Sequence, residues 1–258
     1  MGDSRAQQPA VTVAGRALSL LGAFDEEHRR LTLTELSDRT GLPRPTAHRL
    51  IAELVSWGAL ARDADGHYVV GRRLWDVGML APVQRGLHDI ASPYLHDLYA
   101  ATHATVHLAV RDDLTALYVD RLMGHASVPV VSSIGSRLPL HATGVGKVLL
   151  AHAPQSVITR VLADLTPVTP YTVTQPGRMN RQLARVREHG YAVTREEMSL
   201  GACSLAVPIV ADGAVVAALG IVVPSLESHL TRLTAALRVA AGGIGRSLDH
   251  ERRMTSGQ

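Results

Sequence analysis

The stretch Leu31–Val70, LTLTELSDRTGLPRPTAHRLIAELVSWGALARDADGHYVV, constrains this chain more than any other. Its spacing predicts two short helices, a tight turn between them, and then a β-hairpin. Thr32 and Glu35 have the capping-box spacing, in which a hydroxyl and a carboxylate satisfy orphan amides at a helix start. Thr34 is an equally good cap, so the start is open by one turn. Gly41 stops this helix because glycine tolerates the left-handed conformation. The second helix begins near Pro43–Pro45, where a first turn has no use for the missing amide. Ala47, Leu50, Ile51 and Leu54 then fall on one face.

The opposite face carries Arg44, Thr46, His48 and Arg49, donors at the N-terminal end of the second helix. In a helix-turn-helix, that end of the recognition helix meets base edges and phosphates. Leu60–Arg62 and His67–Val70 read as strands, with Asp65-Gly66 as their turn. Helix-turn-helix followed by a hairpin is a winged helix. The candidate DNA contacts are Thr34, Arg44, Pro45, Thr46, His48 and Arg49, with Arg62 and His67 on the wing and Arg72 just beyond it. The bland alternative is a small helical subdomain that binds a protein.

Bulk charge does not carry the nucleic-acid reading. The 258-residue chain has a formal net charge of +3, and its first 80 residues hold ten Arg against ten Asp or Glu. The reading rests on placement: Arg39, Arg44, His48 and Arg49 surround the turn, while Asp25, Glu26 and Glu27 cluster elsewhere. A near-neutral winged helix needs a second copy to gather enough phosphate contacts. No apolar run approaches the ~20 residues of a membrane span. The polar start, MGDSRAQQPA, lacks the basic-then-apolar order of a signal peptide and reads as a disordered arm. The single cysteine, Cys203, suits a reducing cytoplasm.

Along the chain, a first helix is expected over Val13–Asp25 and a connecting helix after Gly71, with Trp75 and Leu80 on its apolar side. A longer helix follows Pro82, over Val83–Ala101. Strands are expected at Ala104–Arg111, Leu114–Leu122 and Ser127–Val131. A glycine-marked helix entry comes at His141–His152, and further helices at Pro154–Leu165 and Pro176–Glu188. Two buried strands, Ala202–Val210 and Ala214–Val223, precede a closing helix, Glu227–Arg253. The expected product is a mixed sheet with helices on one face, separate from the winged helix.

Three constellations carry residues that could do chemistry. Gly144-Val-Gly-Lys147 fails as a phosphate loop, because His141 stands where glycine is needed and Val148 where Ser or Thr is needed. It also fails as a dinucleotide fingerprint, because Leu149 replaces the third glycine. What remains is a turn whose free amides open a helix, a place where a carboxylate can bind. His103 and His107 straddle a helix-to-strand change and do not share a helical face, so no metal site is expected. Cys203-Ser204 lacks a nucleophile-elbow signature, so no catalytic residue is expected.

Taken together, LSDRTGLPRPTAHRL (36–50), HATGVGKVLLA (141–151), GYAVTREEMSLGACSLAVPI (190–209) and the segment 217–224 resemble the IclR family of bacterial transcriptional regulators. The resemblance spans about residues 12–250 and implies an α+β chain: an arm (1–10), a winged helix-turn-helix (11–72), a linker helix (73–82) and a GAF/PAS-like effector-binding and oligomerisation domain (83–254). It implies a dimer or dimer of dimers on an inverted-repeat operator, a small organic or aromatic acid as effector, and no cofactor. It places the effector at Ala142, Thr143, Gly144 and Val145, at Thr194, at Ser204 beside Cys203, and at Gly220 and Val222. Gly220 and Val222 replace residues that are often serines in the family, which disfavours a very hydrophilic dicarboxylate and favours an aromatic acid. The rival expectation is a GAF-like sensor or enzyme using Cys203 or Lys147.

Overall fold

The computed structural model describes residues 12–25, 27–78, 82–123, 128, 131–227 and 229–256. It divides into two compact units, Met1–Arg85 and Gly86–Gln258. The expected arm, Leu80 of the connecting helix, and the expected strand at Ser127–Val131 (save Val128 and Val131, neither in a strand) lie outside the described residues.

The first unit opens with α1 (Val13–Leu21), whose start is capped by the Thr12 hydroxyl. In α2 (Leu33–Thr40) the cap is Thr32, and both arms of the capping box with Glu35 are formed. Gly41 takes the left-handed conformation the turn requires, with φ 67°. The next helix is α3 (Arg44–Trp57). The hairpin β1 (Leu60–Arg62) and β2 (Tyr68–Val70) is antiparallel, with Leu60 opposite Val70. Leu20, Leu31, Leu36, Ala47, Leu50, Ile51, Leu60 and Tyr68 close one core under these elements. A short helix, α4 (Arg72–Gly78), follows.

The second unit is built on a six-stranded sheet. Its elements in chain order are α5 (Pro82–Thr102), β3 (Thr105–Asp112), β4 (Thr115–Leu122), β5 (Arg137–Pro139), α6 (Gly144–Ala151), α7 (Gln155–Ala163), α8 (Pro176–His189), β6 (Ala192–Arg195), β7 (Cys203–Ala211), β8 (Ala214–Val223) and α9 (Leu230–Ser256). The strand order is β5-β4-β3-β8-β7-β6. Every pairing in it is antiparallel, which corrects the expectation of a mixed sheet.

Helices cover both faces rather than one. Leu205, Val207, Leu219 and Ile221 pack with Leu95 of α5 and Leu237 and Ile244 of α9. On the other face, Ala206 and Ala218 pack with Val145 and Val148 of α6, Val161 of α7 and Leu183 of α8. The physical reason was present in the sequence: β7 and β8 are near-continuous apolar runs, and a strand wet on one face alternates instead.

Candidate functional site

The first unit presents the end of α3 to solvent. Arg44, Pro45, His48 and Arg49 are exposed, Thr46 is half-buried, and Thr34 is exposed on α2. Pro43 caps α3 without a side-chain bond, so the first amides of the helix receive no hydroxyl or carboxylate. The side chains of Arg44, His48 and Arg49 have no hydrogen-bond or ion-pair partner among the described residues. These donors are therefore available together on one helix face.

Other basic residues are committed to the fold. Arg39 donates to the Ala23 carbonyl (2.9 Å) and to Asp25 (2.6 Å), bracing α2 against the segment after α1 rather than facing outward. On the wing, Arg62 donates to the Gly66 carbonyl (3.1 Å), and its guanidinium lies 5.8 Å from the Tyr68 ring centre. His67 is half-buried; its backbone N–H donates to Asp63 Oδ1 (2.9 Å), while its Nδ1, 3.8 Å from Asp63, makes no hydrogen bond among the described residues. Asp63, Asp65 and His67 converge as metal ligands do, but Arg30 already spans the two carboxylates at 2.8 and 2.6 Å. Arg72 is almost fully exposed, 3.9 Å from Asp76.

The second unit holds a cavity of about 40 Å³ between α6 and the sheet. Thr143, Gly144 and Val145 line it from α6, Ser204 from β7, Gly220 and Val222 from β8, and Thr194 from β6. Two expected residues do not. Ala142 is fully buried but does not reach the cavity. Cys203 faces the opposite side of the sheet, against the α5 and α9 core, because successive strand residues alternate faces. Burial pushes its thiol pKa upward, away from the thiolate that nucleophilic chemistry needs.

The polar geometry is compact. The Ser204 hydroxyl accepts from the Gly144 amide (3.2 Å) and lies 2.6 Å from the Thr194 hydroxyl. The Thr143 hydroxyl accepts from the Gly146 amide (3.1 Å). Two of the first three α6 amides are thus satisfied by side chains, and the Val145 N–H has no acceptor among the described residues. The small residues serve packing as well. A Cβ at Gly144 would stand 2.5 Å from Ser204 Oγ, and one at Gly220 would stand 2.8 Å from Val145 Cγ1. Glycine here is what lets α6 lie close on the sheet.

Sequence reasoning missed the far side of the cavity. His107 and Tyr118 line it from β3 and β4, meeting edge to face with ring centres 5.0 Å apart. Ser132 Oγ lies 2.8 Å from His107 Nε2, and Arg121 bonds the Ser132 carbonyl. Burial, with help from Arg121, pushes the His107 pKa down to about 3, so its ring is neutral at ordinary pH. Burial pushes Tyr118 up to about 12, partly opposed by a hydrogen bond with Thr143. Met198, Ser199 and Ala202 form another wall. Strand alternation could put His107 on one face, but which face met a cavity depended on β8 pairing beside β3, a contact between segments over a hundred residues apart.

A winged helix joined in one chain to a domain with a small, largely apolar cavity carrying a few polar groups defines a class: DNA-binding transcriptional regulators with a ligand-binding domain. The chain belongs to the IclR family. The family model described as bacterial transcriptional regulator IclR C-terminal matches residues 81–246, and the IclR helix-turn-helix domain matches residues 13–64. The chain is 32% identical to the transcriptional repressor IclR of Escherichia coli over 216 residues, 78% of this chain and 79% of that one. It is 33% identical to the Pca operon regulatory protein of Acinetobacter baylyi over 228 residues, 84% of this chain and 81% of that one.

Among solved structures it resembles an IclR homolog from Microbacterium hydrocarbonoxydans complexed with 4-hydroxybenzoate. The TM-score is 0.88 and the identity 33%, over 92% of this chain and 99% of that chain. It also resembles the IclR of Thermotoga maritima, with a TM-score of 0.76 and 29% identity over 92% and 98% of the two chains. The chain is accordingly a transcriptional regulator and not an enzyme. No helix among the described residues is long and apolar enough to cross a membrane.

Proposed function

We propose that this regulator binds an inverted-repeat operator through α3, and that a small aromatic monocarboxylic acid in the cavity beside α6 sets its operator affinity. The observation that carries this reading is the cavity lining. It combines hydroxyls (Ser204, Thr194, Thr143), the Val145 amide and two rings (His107, Tyr118), with no Lys or Arg among the described lining residues. Such a site suits a mostly apolar ligand oriented by a few polar groups. It does not suit a dicarboxylate, since a second buried charge would lack a partner. The relative complexed with 4-hydroxybenzoate, and the Pca operon regulatory protein, support a catabolic operon as the target.

The proposed DNA contacts are Thr34, Arg44, Pro45, Thr46, His48 and Arg49, with Arg72 at the edge. Arg62 and His67 shape the wing and contact DNA through it. The boundaries 11–72, 73–82 and 83–254 are retained as the working division of the chain. Self-association is supported by large apolar side chains left in water on α1 and α4: Val13 (61% exposed), Leu18 (64%) and Trp75 (61%). A DNA-bound regulator with one cysteine works in the cytoplasm.

Equilibrium binding of benzoate-class acids, by calorimetry and by thermal shift, tests the effector half. A monocarboxylate should raise the melting temperature with the logarithm of its concentration over its dissociation constant, because it binds only the native state. Equal responses to aromatic monocarboxylates and to short dicarboxylates would count against the cavity as the specificity element.

A further inference from the structure

Lys147 is the only lysine in the chain, and it is buried. It lies one helical turn from the α6 residues that line the cavity, yet it does not line that cavity itself. Its ammonium donates to Glu197 Oε1 at 2.6 Å and to Gln182 Oε1 of α8 at 2.8 Å. Both side chains of the ion pair are enclosed, at 1% and 7% exposure. Burying two charges costs more than a packed apolar pair of the same size, so a buried pair is poor evidence of a stability role. Its location says more.

Glu197 precedes Met198, Ser199 and Ala202, which form one wall of the cavity. That segment folds back on itself. The Glu196 amide donates to the Ala202 carbonyl (2.8 Å), and the Gly201 amide donates to the Glu196 carboxylate (2.6 Å). Its tethers elsewhere converge on the same residues. Thr169 and Thr172 hydroxyls donate to the Glu196 and Glu197 carbonyls at 2.6 and 2.7 Å. The Val173 amide reaches the second Glu197 oxygen at 3.4 Å. Only the Lys147 bond ties this wall to α6, the helix that forms the opposing side, among the bonds described.

We propose that the Lys147–Glu197 ion pair is a positioning device for the effector site: it anchors the 196–202 wall to α6 and fixes the spacing across which an effector is gripped. This rests on the effector reading above. In Lys147→Met, Glu197 is left without its cation, and the carboxylate turns toward water, drawing Met198 and Ser199 away from Thr143 and Val145. Glu197→Gln keeps the shape and removes one charge, and it serves as the milder variant if Lys147→Met fails to fold.

The test uses the full-length protein in two arms. In the first, amide hydrogen exchange is followed without ligand. In either variant, exchange should rise at least tenfold in residues 196–202 and 169–173, with β7 and β8 within twofold of the parent. Unchanged exchange in the wall, or an equal rise throughout the sheet, would overturn the proposal. In the second arm, 4-hydroxybenzoate and benzoate are titrated by calorimetry. The dissociation constant should rise at least tenfold, while operator affinity without acid stays within twofold. Loosened exchange with unchanged acid affinity would overturn the positioning role. If the parent binds neither acid, the aromatic-acid reading fails and takes the gripping role with it, while the exchange arm still decides whether the pair anchors the wall.

Discussion

His107 shows what one buried group does to this domain. The ring is held neutral, with its pKa near 3 against 6.5 when exposed. Between those values the unfolded chain binds a proton that the native one refuses, so native stability rises with pH there. Acidification below about pH 6.5 should therefore destabilise the effector-binding unit, by at most about 1.4 kcal/mol per pH unit from this group. Urea melts of the parent and of His107→Gln from pH 7 to pH 4 check it: the variant should lose part of the slope, and parallel curves would remove His107 as the cause. Ser204 makes a second case. Ser204→Ala strands the Gly144 amide and the Thr194 hydroxyl, and should cost about 1–3 kcal/mol in chemical denaturation. The sequence put Ser204 and Thr194 in one set through a resemblance, and their 2.6 Å contact is a consequence of β6 pairing with β7. Cys203 joined that set through adjacency alone, and strand alternation turns it to the other face.

At the scale of elements, α3 and α6 are both helix starts, yet they offer different chemistry. The α3 start leaves Arg44, His48 and Arg49 exposed together. Arg49→Ala should weaken operator binding by about 1–3 kcal/mol, and if the residue meets phosphate the salt slope should fall by about one. Gel shifts across a salt series measure both, and unchanged affinity would remove α3 as the recognition helix. Arg62→Ala should instead lower the first unit's stability, since its guanidinium closes the wing on Gly66 and Tyr68. At α6, a Cβ on Gly146 would meet Thr143 Oγ1 at 2.4 Å and the Leu140 carbonyl at 2.5 Å. Gly146→Ala should thus cost more than Gly144→Ala, whose clash is with a serine hydroxyl, both within the ~1–3 kcal/mol of overpacking. Thermal melts that rank them the other way would contradict this geometry. The winged helix was legible almost residue by residue because caps, turns and periodicity are local; the choice of Thr32 over Thr34, and the end of α1 at Leu21 rather than the expected Asp25, needed the structure. The sheet was less so. The short strands β5 and β6 carry too few residues for a pattern, and they lie at the edges because β3 pairs with the distant β8 at the centre of the sheet.

In the whole molecule a DNA-binding unit and an effector-binding unit share one chain, and the central proposal is that occupancy of the cavity by an acid changes operator affinity. The most direct measurement is operator binding by fluorescence anisotropy at fixed salt, with 4-hydroxybenzoate titrated in, for the parent and for Val222→Phe. Val222 lines the cavity from β8 and lies in the second unit, away from α3 in sequence. A phenyl ring there fills space that an aromatic acid would use. The parent's operator dissociation constant should shift with acid by about 5- to 150-fold, the range of ordinary allosteric coupling. Val222→Phe should bind the operator as the parent does without acid and show no shift with it. An operator affinity that responds to acid equally in both proteins would contradict the account.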